Sequence, residues 1–417
     1  MRYSKIIIAA GLLSCMSMAY AQPQVAKDMD VIPEETAGGA QLAVDVQGIA
    51  SYWSPARMAN AKPMQIPNVT VESASLSFPP ASQESAVQAV PGFSGGCPPN
   101  ASYCDTTPHT LSSSQASLSS ASVAYGDMIQ PMHGDKPVNP KYGPYGPFQR
   151  WREAKPITDY PKSTIGKLFF TLNGSNYVCS ASVINRSTLI TAGHCNSDGK
   201  GHFATNRLFC PSWQNGVYPS IGCWSVVTSV ISSRWHYSSD PDYDYSCLIT
   251  AVGGTKVWNK IGNVTGWLGR AWNWGPSQAV RTFGYPQAAP FNGGTLQTTA
   301  STEWYTQDFV AGGQVSKIIG SDLTGGSSGG PWILGWTSKL GEIADTDARG
   351  VTDPGYNWVN GVNSHKRCVT NCNTPPTTTS GVFWQEMTSP PFRNTTADGG
   401  ESEDVIAYCL KNINNNK

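Results

Sequence analysis

The stretch Leu323-Thr324-Gly325-Gly326-Ser327-Ser328-Gly329-Gly330-Pro331 sets two serines inside a run of glycines, with the apolar Trp332-Ile333-Leu334 behind it. Glycine permits backbone dihedral angles that are closed to other residues and lets another chain approach the backbone closely. A tight turn of this kind can direct a serine hydroxyl and nearby N–H groups at one point, as nucleophilic acyl transfer requires. The same composition is also typical of a flexible linker, so this stretch alone leaves both interpretations open.

Two further stretches place a histidine and an acid beside predicted strands. Thr191-Ala192-Gly193-His194-Cys195 follows the apolar run Thr188-Leu189-Ile190, so the histidine stands at the end of a predicted strand. Asp242-Tyr243-Asp244-Tyr245-Ser246 leads into the apolar Cys247-Leu248-Ile249. The order His, Asp, Ser along the chain is one of the three orders known for the hydrolase triad.

With these motifs in order, the chain from about Tyr160 to its C-terminus resembles the trypsin-like serine endopeptidases, in particular their bacterial glutamyl-endopeptidase-type branch. Cys179-Ser180-Ala181-Ser182-Val183-Ile184 resembles the family's strand before the histidine. Gly284-Tyr285-Pro286 and Gly361-Val362-Asn363-Ser364 match further landmarks. Short β-prone runs that alternate with turn residues separately predict an all-β fold. The resemblance implies two six-stranded antiparallel barrels with a C-terminal helix, preceded by a low-complexity N-terminal pro-region.

The resemblance also identifies the nucleophile. Ser328 takes this role because Gly326-x-Ser328-Gly329-Gly330-Pro331 has the family pattern, and Ser327 is then only its neighbour. By the same match, the backbone N–H groups of Gly326 and Ser328 are expected to form the oxyanion hole.

The other two triad positions follow in the same way. His194 is expected to act as the general base, with Asp244 accepting a hydrogen bond from the other imidazole nitrogen. The family's aspartate is followed by any residue, a small residue and two apolar residues. Asp244 fits that pattern, whereas Asp242 would put an acid in the small position.

Substrate contacts are predicted on both sides of the nucleophile. Asp322 lies six residues before Ser328, where an ungapped match to trypsin has the acid at the base of the specificity pocket, and this implies cleavage after Arg or Lys. Thr324 stands where trypsin has a bonded cysteine, so cleavage after Glu and a broad preference both stay open. Asn363-Ser364-His365 is expected to run beside the bound peptide as an added strand.

Eleven cysteines in an exported chain predict disulfides. In the family, the cysteines that match Cys179 and Cys195 are bonded next to the histidine. Cys210 with Cys223 is the next predicted pair. No paired zinc-ligand spacing is present, so we expect neither a metal nor another cofactor. The cysteines that the sequence leaves without an assigned partner are Cys247, Cys368, Cys372 and Cys409.

The chain divides into three predicted parts. Residues 1–21 have a basic start, an apolar run and a small-x-small site at Ala19-Tyr20-Ala21, which predicts a secretory signal peptide. A lipidated Cys15 is the alternative, disfavoured because cleavage after Ala21 leaves an even number of cysteines for pairing. Residues 22–152, rich in Ala, Ser, Pro and Gln, predict a pro-segment or, alternatively, a permanent accessory domain. Residues 153–417 are the predicted peptidase domain.

Three features are predicted within residues 22–152. The segment 41–53 is more strand-like than its surroundings. Cys97 and Cys104 enclose a short loop suited to a local disulfide. Arg150 and Arg152 are candidate processing sites.

Composition narrows the function classes. Charged residues make up 13% of the chain and the formal net charge is zero, which argues against nucleic acid or an anionic membrane as the main partner. We therefore expect protein or peptide substrates, no nucleic-acid partner and no stable membrane insertion, in a secreted (extracellular or periplasmic) protein. A serine endopeptidase that works through an acyl-enzyme is favoured over a catalytically inactive peptidase-fold binding protein, because all three triad positions are kept. The histidines interpreted as surface or structural residues are His109, His133, His202, His236 and His365.

Overall fold

The computed structural model describes residues 31–34, 45–70, 88–90, 109–110, 148–153, 158–214, 219–273, 278–303, 305–309, 315–336, 357–368, 386–394 and 400–414. The predicted signal peptide 1–21 and the predicted disulfide between Cys97 and Cys104 lie outside these segments, as does Cys372, whose partner the sequence left open.

The N-terminal region contains two short helices. Asp45 Oδ1 accepts a hydrogen bond from Gly48 N–H at 2.7 Å, and Ser54 Oγ accepts one from Arg57 N–H at 3.2 Å, so each helix begins at a side-chain cap. The strand-like interpretation of 41–53 is wrong where the capped helix Val46–Tyr52 forms. The elements described here are β1 (Val31–Pro33), α1 (Val46–Tyr52), α2 (Pro55–Asn60), β2 (Lys62–Pro63), β3 (Asn68–Thr70), β4 (Gln88–Val90), β5 (His109–Thr110) and β6 (Phe148–Arg152).

Six antiparallel strands then form a closed barrel. They are β7 (Ile165–Leu172), β8 (Ser175–Asn185), β9 (Thr188–Thr191), β10 (Thr205–Pro211), β11 (Trp224–Ser232) and β12 (Ser246–Thr250), with α3 (Ser233–Ser238) after β11. Pairing runs β7-β8-β9-β12-β11-β10 and back to β7. Asn173 and Gly174, with φ of 49° and 77°, make the two-residue turn of the β7–β8 hairpin, and this turn type matches the twist of the strands. Phe169, Leu189 and Leu248 are fully buried in the core.

The part of the chain that follows this barrel is also mostly β. Its main sheet has the order β13-β19-β18-β14-β15, and a second sheet has the order β16-β17-β21. Together with the closed barrel, this arrangement is consistent with the predicted two-barrel fold, and the C-terminal helix is confirmed. The elements are α4 (Ile261–Thr265), β13 (Gly269–Trp272), β14 (Ala279–Gly284), β15 (Gln297–Thr302), β16 (Tyr305–Asp308), β17 (Val315–Gly320), β18 (Pro331–Leu334), β19 (Trp358–Val362), β20 (Lys366–Cys368), β21 (Glu386–Ser389) and α5 (Ser402–Asn414).

The elements before residue 153 extend the sheets that the later strands form. β1 pairs with β11, β2 with β8, β4 with β13 and β6 with β15. The buried Trp53 side chain packs against Phe169 of β7, with ring centroids 5.4 Å apart, and its indole N–H donates to Asn206 O at 2.5 Å. The described part of the N-terminal region is therefore docked onto the barrels.

Three disulfides join cysteines in the described part of the chain. Cys179–Cys195 and Cys210–Cys223 are formed, as predicted. The third joins Cys247 of β12 to Cys409 of α5, which ties the C-terminal helix back onto the first barrel. Among the helices described, none is both long and apolar enough to cross a membrane.

Candidate active site

His194 and Asp244 meet because their loops leave the same end of two paired strands. β9 and β12 pair with Thr191 opposite Ser246; His194 follows the first strand and Asp244 precedes the second. His194 Nδ1 lies 2.8 Å from Asp244 Oδ2, and the His194 backbone N–H donates to Asp244 Oδ1 at 2.7 Å. An ionised carboxylate can only accept, so the neutral ring carries its proton on Nδ1 and leaves Nε2 free to act as a base.

The Asp244 carboxylate is fully buried. Burial alone would raise the pKa of Asp244, but the charge of His194 and the hydrogen bonds from His194 and Ser364 lower the pKa below its usual value. Asp244 is therefore ionised at neutral pH and remains an acceptor. The neighbouring Asp242 points elsewhere, since it accepts from Phe309 N–H at 3.0 Å and from Ser316 Oγ at 2.6 Å.

The glycine-rich turn lies against this pair. Gly326 and Gly329 have φ of 96° and 78°, a region that side chains rarely adopt. A Cβ on Gly329 would stand 2.0 Å from Thr191 Oγ1 and 2.8 Å from Ala192 N, so only glycine lets the turn approach the strand that carries His194. Ser328 O accepts from Ser180 N–H of β8 at 2.7 Å, which fixes the turn to the first barrel.

The two serines of the turn differ in their bonding. Ser327 Oγ donates to Thr324 O at 2.8 Å inside its own turn. Ser328 Oγ is buried and has no hydrogen-bond partner among the described residues, and the same holds for His194 Nε2. Of the two hydroxyls, the one on Ser328 is therefore not committed to a hydrogen bond within the described residues.

Asn363 holds the turn from the second half of the molecule. Its backbone O accepts from Gly329 N–H and its N–H donates to Gly330 O, both at 2.8 Å. Its side-chain amide donates to Ser327 O at 3.0 Å and to Phe283 O at 2.9 Å. These groups of Asn363 are therefore committed to the nucleophile turn, and its predicted contact with substrate stays a prediction.

Ser364 joins the buried acid. Its hydroxyl donates to Asp244 Oδ2 at 2.5 Å, and its backbone N–H donates to Thr388 O at 3.0 Å. Its side chain thus points at the His194–Asp244 pair. A role for Ser364 in binding substrate, like that of Asn363, stays a prediction.

Asp322 is engaged by an arginine of the N-terminal region. Arg150 Nε lies 2.8 Å from Asp322 Oδ2, and the guanidinium also sits over the Phe291 ring at 4.9 Å. Asp322 Oδ1 is buried without a hydrogen-bond partner among the described residues. Burial lowers the pKa of the nearby Lys366 to about 8, although the negative charges of Asp322 and Glu386 act to raise that pKa.

An N-terminal strand segment passes through the site. Met64 O accepts from Gly326 N–H at 3.0 Å, so an amide predicted for the oxyanion hole already binds a carbonyl oxygen. Met64 and Pro67 also line, with His194 and Trp235, a cavity of about 600 Å³. Sequence reasoning missed Met64, since no motif in 61–70 indicates a position more than two hundred residues away along the chain.

One group of sulfur and imidazole atoms in the described part of the chain lies close enough together to be considered as a metal site. Among the described residues, the ligand atoms of Cys179, His194 and Cys195 lie within 4.8 Å of one another. The two sulfurs are bonded to each other, so neither offers the thiolate that binds metal. His194 Nδ1 is held by Asp244. This donor set does not fit a metal ion.

No family model matches the chain. A curated relative, "Extracellular metalloprotease" of Bacillus subtilis (strain 168), is 30% identical over 95 residues, which are 23% of this chain and 28% of the relative. The chain thus matches less than a third of that protein's length.

Solved structures match over most of their own length. Protease Anisep from Arthrobacter nicotinovorans is 29% identical over 58% of this chain and 96% of its own, with a TM-score of 0.45. The thermostable serine protease AL20 from an extremophilic microorganism is 28% identical over 60% of this chain and 97% of its own, with a TM-score of 0.46. A Glu endopeptidase matches at 14% identity over 64% of this chain and 98% of its own, with a TM-score of 0.42. The three proteins with these similar structures are a protease, a serine protease and a Glu endopeptidase.

Proposed function

We propose that this protein is a secreted serine endopeptidase. The observation that carries the proposal is the buried His194–Asp244 pair, together with a glycine-rich turn whose Ser328 hydroxyl has no hydrogen-bond partner among the described residues. Export agrees with the disulfides of the described residues, because disulfides form and persist in oxidising compartments.

The proposed reaction proceeds in two halves. Ser328 Oγ attacks the scissile carbonyl carbon while His194 Nε2 takes the hydroxyl proton. The N–H groups of Gly326 and Ser328 stabilise the oxyanion of the tetrahedral intermediate. His194 then gives its proton to the leaving amine, and the peptide bond breaks to leave an acyl-enzyme on Ser328. Water, activated by the same imidazole, hydrolyses the ester and restores the hydroxyl.

Labelling with a fluorophosphonate probe tests this proposal. The disulfide-bonded chain, after limited proteolysis between residues 70 and 148, should lose peptidase activity as one equivalent of probe attaches to Ser328. If the processed, folded chain neither labels nor hydrolyses peptides, the alternative of a catalytically inactive peptidase-fold binding protein is correct.

Reducing agent is expected to inactivate the enzyme. Cys195 directly follows His194, and its bond to Cys179 closes a loop around the strands that carry the histidine. In the chain-entropy model a loop of this length stabilises the fold by about 3 kcal/mol. Activity and circular dichroism should be followed during reduction, with peptide mapping of the unreduced protein. Full activity with both cysteines mapped as free thiols would contradict the expectation.

We further propose that Asp322 sets a preference for cleavage after Arg or Lys. In support, the Asp322 carboxylate binds the guanidinium of Arg150, the same group that an arginine side chain of a substrate would present. A peptide-library digest should show cuts enriched after basic residues, and the enrichment should vanish for Asp322→Ser. Cuts after Glu, evenly spread cuts, or an Asp322→Ser variant with unchanged preference would each overturn this assignment.

We also propose that residues 22–152 act as a pro-segment that blocks the cleft. Residues 61–70 contact both walls of the site: Met64 N–H donates to Val178 O at 3.0 Å, and Lys366 N–H donates to Pro67 O at 2.9 Å. The pairings of β2 with β8 and of β3 with β20 are both parallel. With Met64 O on Gly326 N–H, a substrate carbonyl and this segment would compete for the same amide.

Loosening this segment is expected to speed active-site labelling of the full chain by about tenfold or more. Trp53→Ala removes a buried anchor whose truncation costs about 3–5 kcal/mol, and Met64→Pro removes the N–H that binds Val178 O. Lys62→Ala is the matched control, because that side chain is exposed in the same segment. The rate of probe labelling is measured for four unprocessed chains: the wild type, Trp53→Ala, Met64→Pro and Lys62→Ala.

Equal rates in all four chains would contradict the pro-segment proposal while leaving the peptidase intact. Absence of labelling in every chain, including the proteolysed form, would instead contradict the peptidase proposal. Faster labelling of Lys62→Ala alone would also contradict the blocking role, since that side chain is exposed.

A further inference from the structure

A row of hydrogen bonds continues beyond the His194–Asp244 pair. Ser364 Oγ lies 2.5 Å from Asp244 Oδ2, the same oxygen that faces His194 Nδ1. On its other side, Ser364 Oγ lies 2.7 Å from His365 Nδ1. Four side chains are thereby connected, and the last of them, His365, was interpreted from the sequence as a surface or structural histidine.

The direction of each hydrogen bond in this row follows from counting protons. The Ser364 hydroxyl has one hydrogen, and the ionised Asp244 carboxylate can only accept it. Ser364 Oγ must then accept from His365, so His365 Nδ1 carries a hydrogen. Burial lowers the pKa of His365 to about 3, although the negative charge of Asp244 acts to raise that pKa. The ring is therefore neutral, and its Nε2 carries no hydrogen.

A role in packing alone does not explain why a histidine, and not an apolar residue, occupies position 365. His365 is buried, and its Nε2 has no hydrogen-bond partner among the described residues. A buried polar atom left in this way costs about 1–3 kcal/mol, a cost that an apolar side chain of similar shape would avoid. Within the part of the chain that the structure describes, the hydrogen bond of the His365 ring is the one between Nδ1 and Ser364 Oγ.

The ring is also fixed in place. Phe309 packs edge-on against it, with ring centroids 4.5 Å apart. His365 O accepts from both Thr388 N–H and Thr388 Oγ1 at 2.9 Å, which anchors its backbone to β21. The charged groups that act on the ring are Asp244 and His194. His365 therefore presents Nδ1–H to Ser364 in a single orientation.

We propose that His365 is a positioning residue. Its Nδ1–H donates to the oxygen of Ser364, which keeps the Ser364 hydroxyl directed at the Asp244 carboxylate that orients His194. This inference rests on the proposed peptidase function. The N–H donor polarises the hydroxyl and strengthens its bond to Asp244. Without that donor, the carboxylate is less stabilised, becomes more basic, and holds the His194 imidazolium more firmly.

The pH dependence of kcat/KM tests the proposal on the processed enzyme. Activity should rise on the acid side as His194 loses its proton. For His365→Leu, the midpoint of that rise should move to higher pH, and activity at pH 6 should fall about five- to tenfold, the scale of one hydrogen bond. His365→Asn, whose side-chain N–H can replace Nδ1–H, should keep the wild-type midpoint. If His365→Leu does not fold, His365→Gln replaces it in the experiment, because the longer glutamine side chain has no N–H donor at the position of His365 Nδ1.

A double-mutant cycle with Ser364→Ala separates this role from packing. In the Ser364→Ala background, His365→Leu should produce no further shift of the midpoint, because the hydroxyl through which His365 acts is absent. An equal shift in both backgrounds, an unmoved midpoint in His365→Leu, or an asparagine variant no better than leucine would overturn the proposal. A wild-type enzyme without peptidase activity would overturn the proposed function instead.

Discussion

Ser328→Ala is expected to lower the turnover number by about 10⁶-fold while the protein still folds. Loss of a triad nucleophile has an effect of this order, because the residual rate comes only from binding and the oxyanion hole. The Ser328 hydroxyl makes no hydrogen bond within the described residues, so its removal leaves no partner unsatisfied. Peptide hydrolysis and thermal unfolding of the processed enzyme, measured side by side, check both parts.

Ser327→Ala is the matched control for this experiment. Its hydroxyl donates to Thr324 O at 2.8 Å, so the expected loss is one local hydrogen bond, about 1 kcal/mol of stability, with turnover largely kept. The reverse pattern, in which Ser327→Ala is inactive and Ser328→Ala is active, would show that the register of the nucleophile is wrong.

Asp244→Asn is expected to lower turnover by about 10⁴-fold with little change in structure. An amide can donate to His194 Nδ1, which stabilises the tautomer whose proton is on Nε2, and that tautomer cannot take the proton of Ser328. The present contacts favour the productive tautomer, since Asp244 Oδ2 accepts from Nδ1 at 2.8 Å. Steady-state kinetics above pH 7 give the measurement.

Asp242→Asn is the control for Asp244→Asn, because Asp242 is also a buried acid and lies only two residues away in the chain. Asp242 binds Phe309 N–H and Ser316 Oγ, so its loss should reduce the free energy of unfolding by about 1–3 kcal/mol and leave turnover of the folded enzyme nearly unchanged. If Asp242→Asn abolished turnover and Asp244→Asn did not, the acid of the proposed triad would have been assigned to the wrong residue.

Local patterns in the sequence were sufficient for the β fold and for the strands around His194 and after Asp244. The family resemblance supplied the bond between Cys179 and Cys195, and the pair Cys210–Cys223 was also predicted. The turn around Ser328 has a sequence signature because its backbone needs glycine at Gly326 and Gly329, where φ is positive and Thr191 lies close. The same reasoning failed at Val46–Tyr52, where Asp45 starts a helix that the residue pattern of 41–53 did not indicate.

What the sequence by itself determined are the features whose physical cause lies within a few residues: apolar alternation in strands, glycine in strained turns, and the order of His194, Asp244 and Ser328. The tertiary structure alone decided which distant groups meet. Met64 O reaches Gly326 N–H, Cys247 pairs with Cys409, and His365 Nδ1 faces Ser364 Oγ. Hydrogen bonds and disulfides depend on distances of a few ångströms, and only the closed barrel and its docked N-terminal segment set those distances.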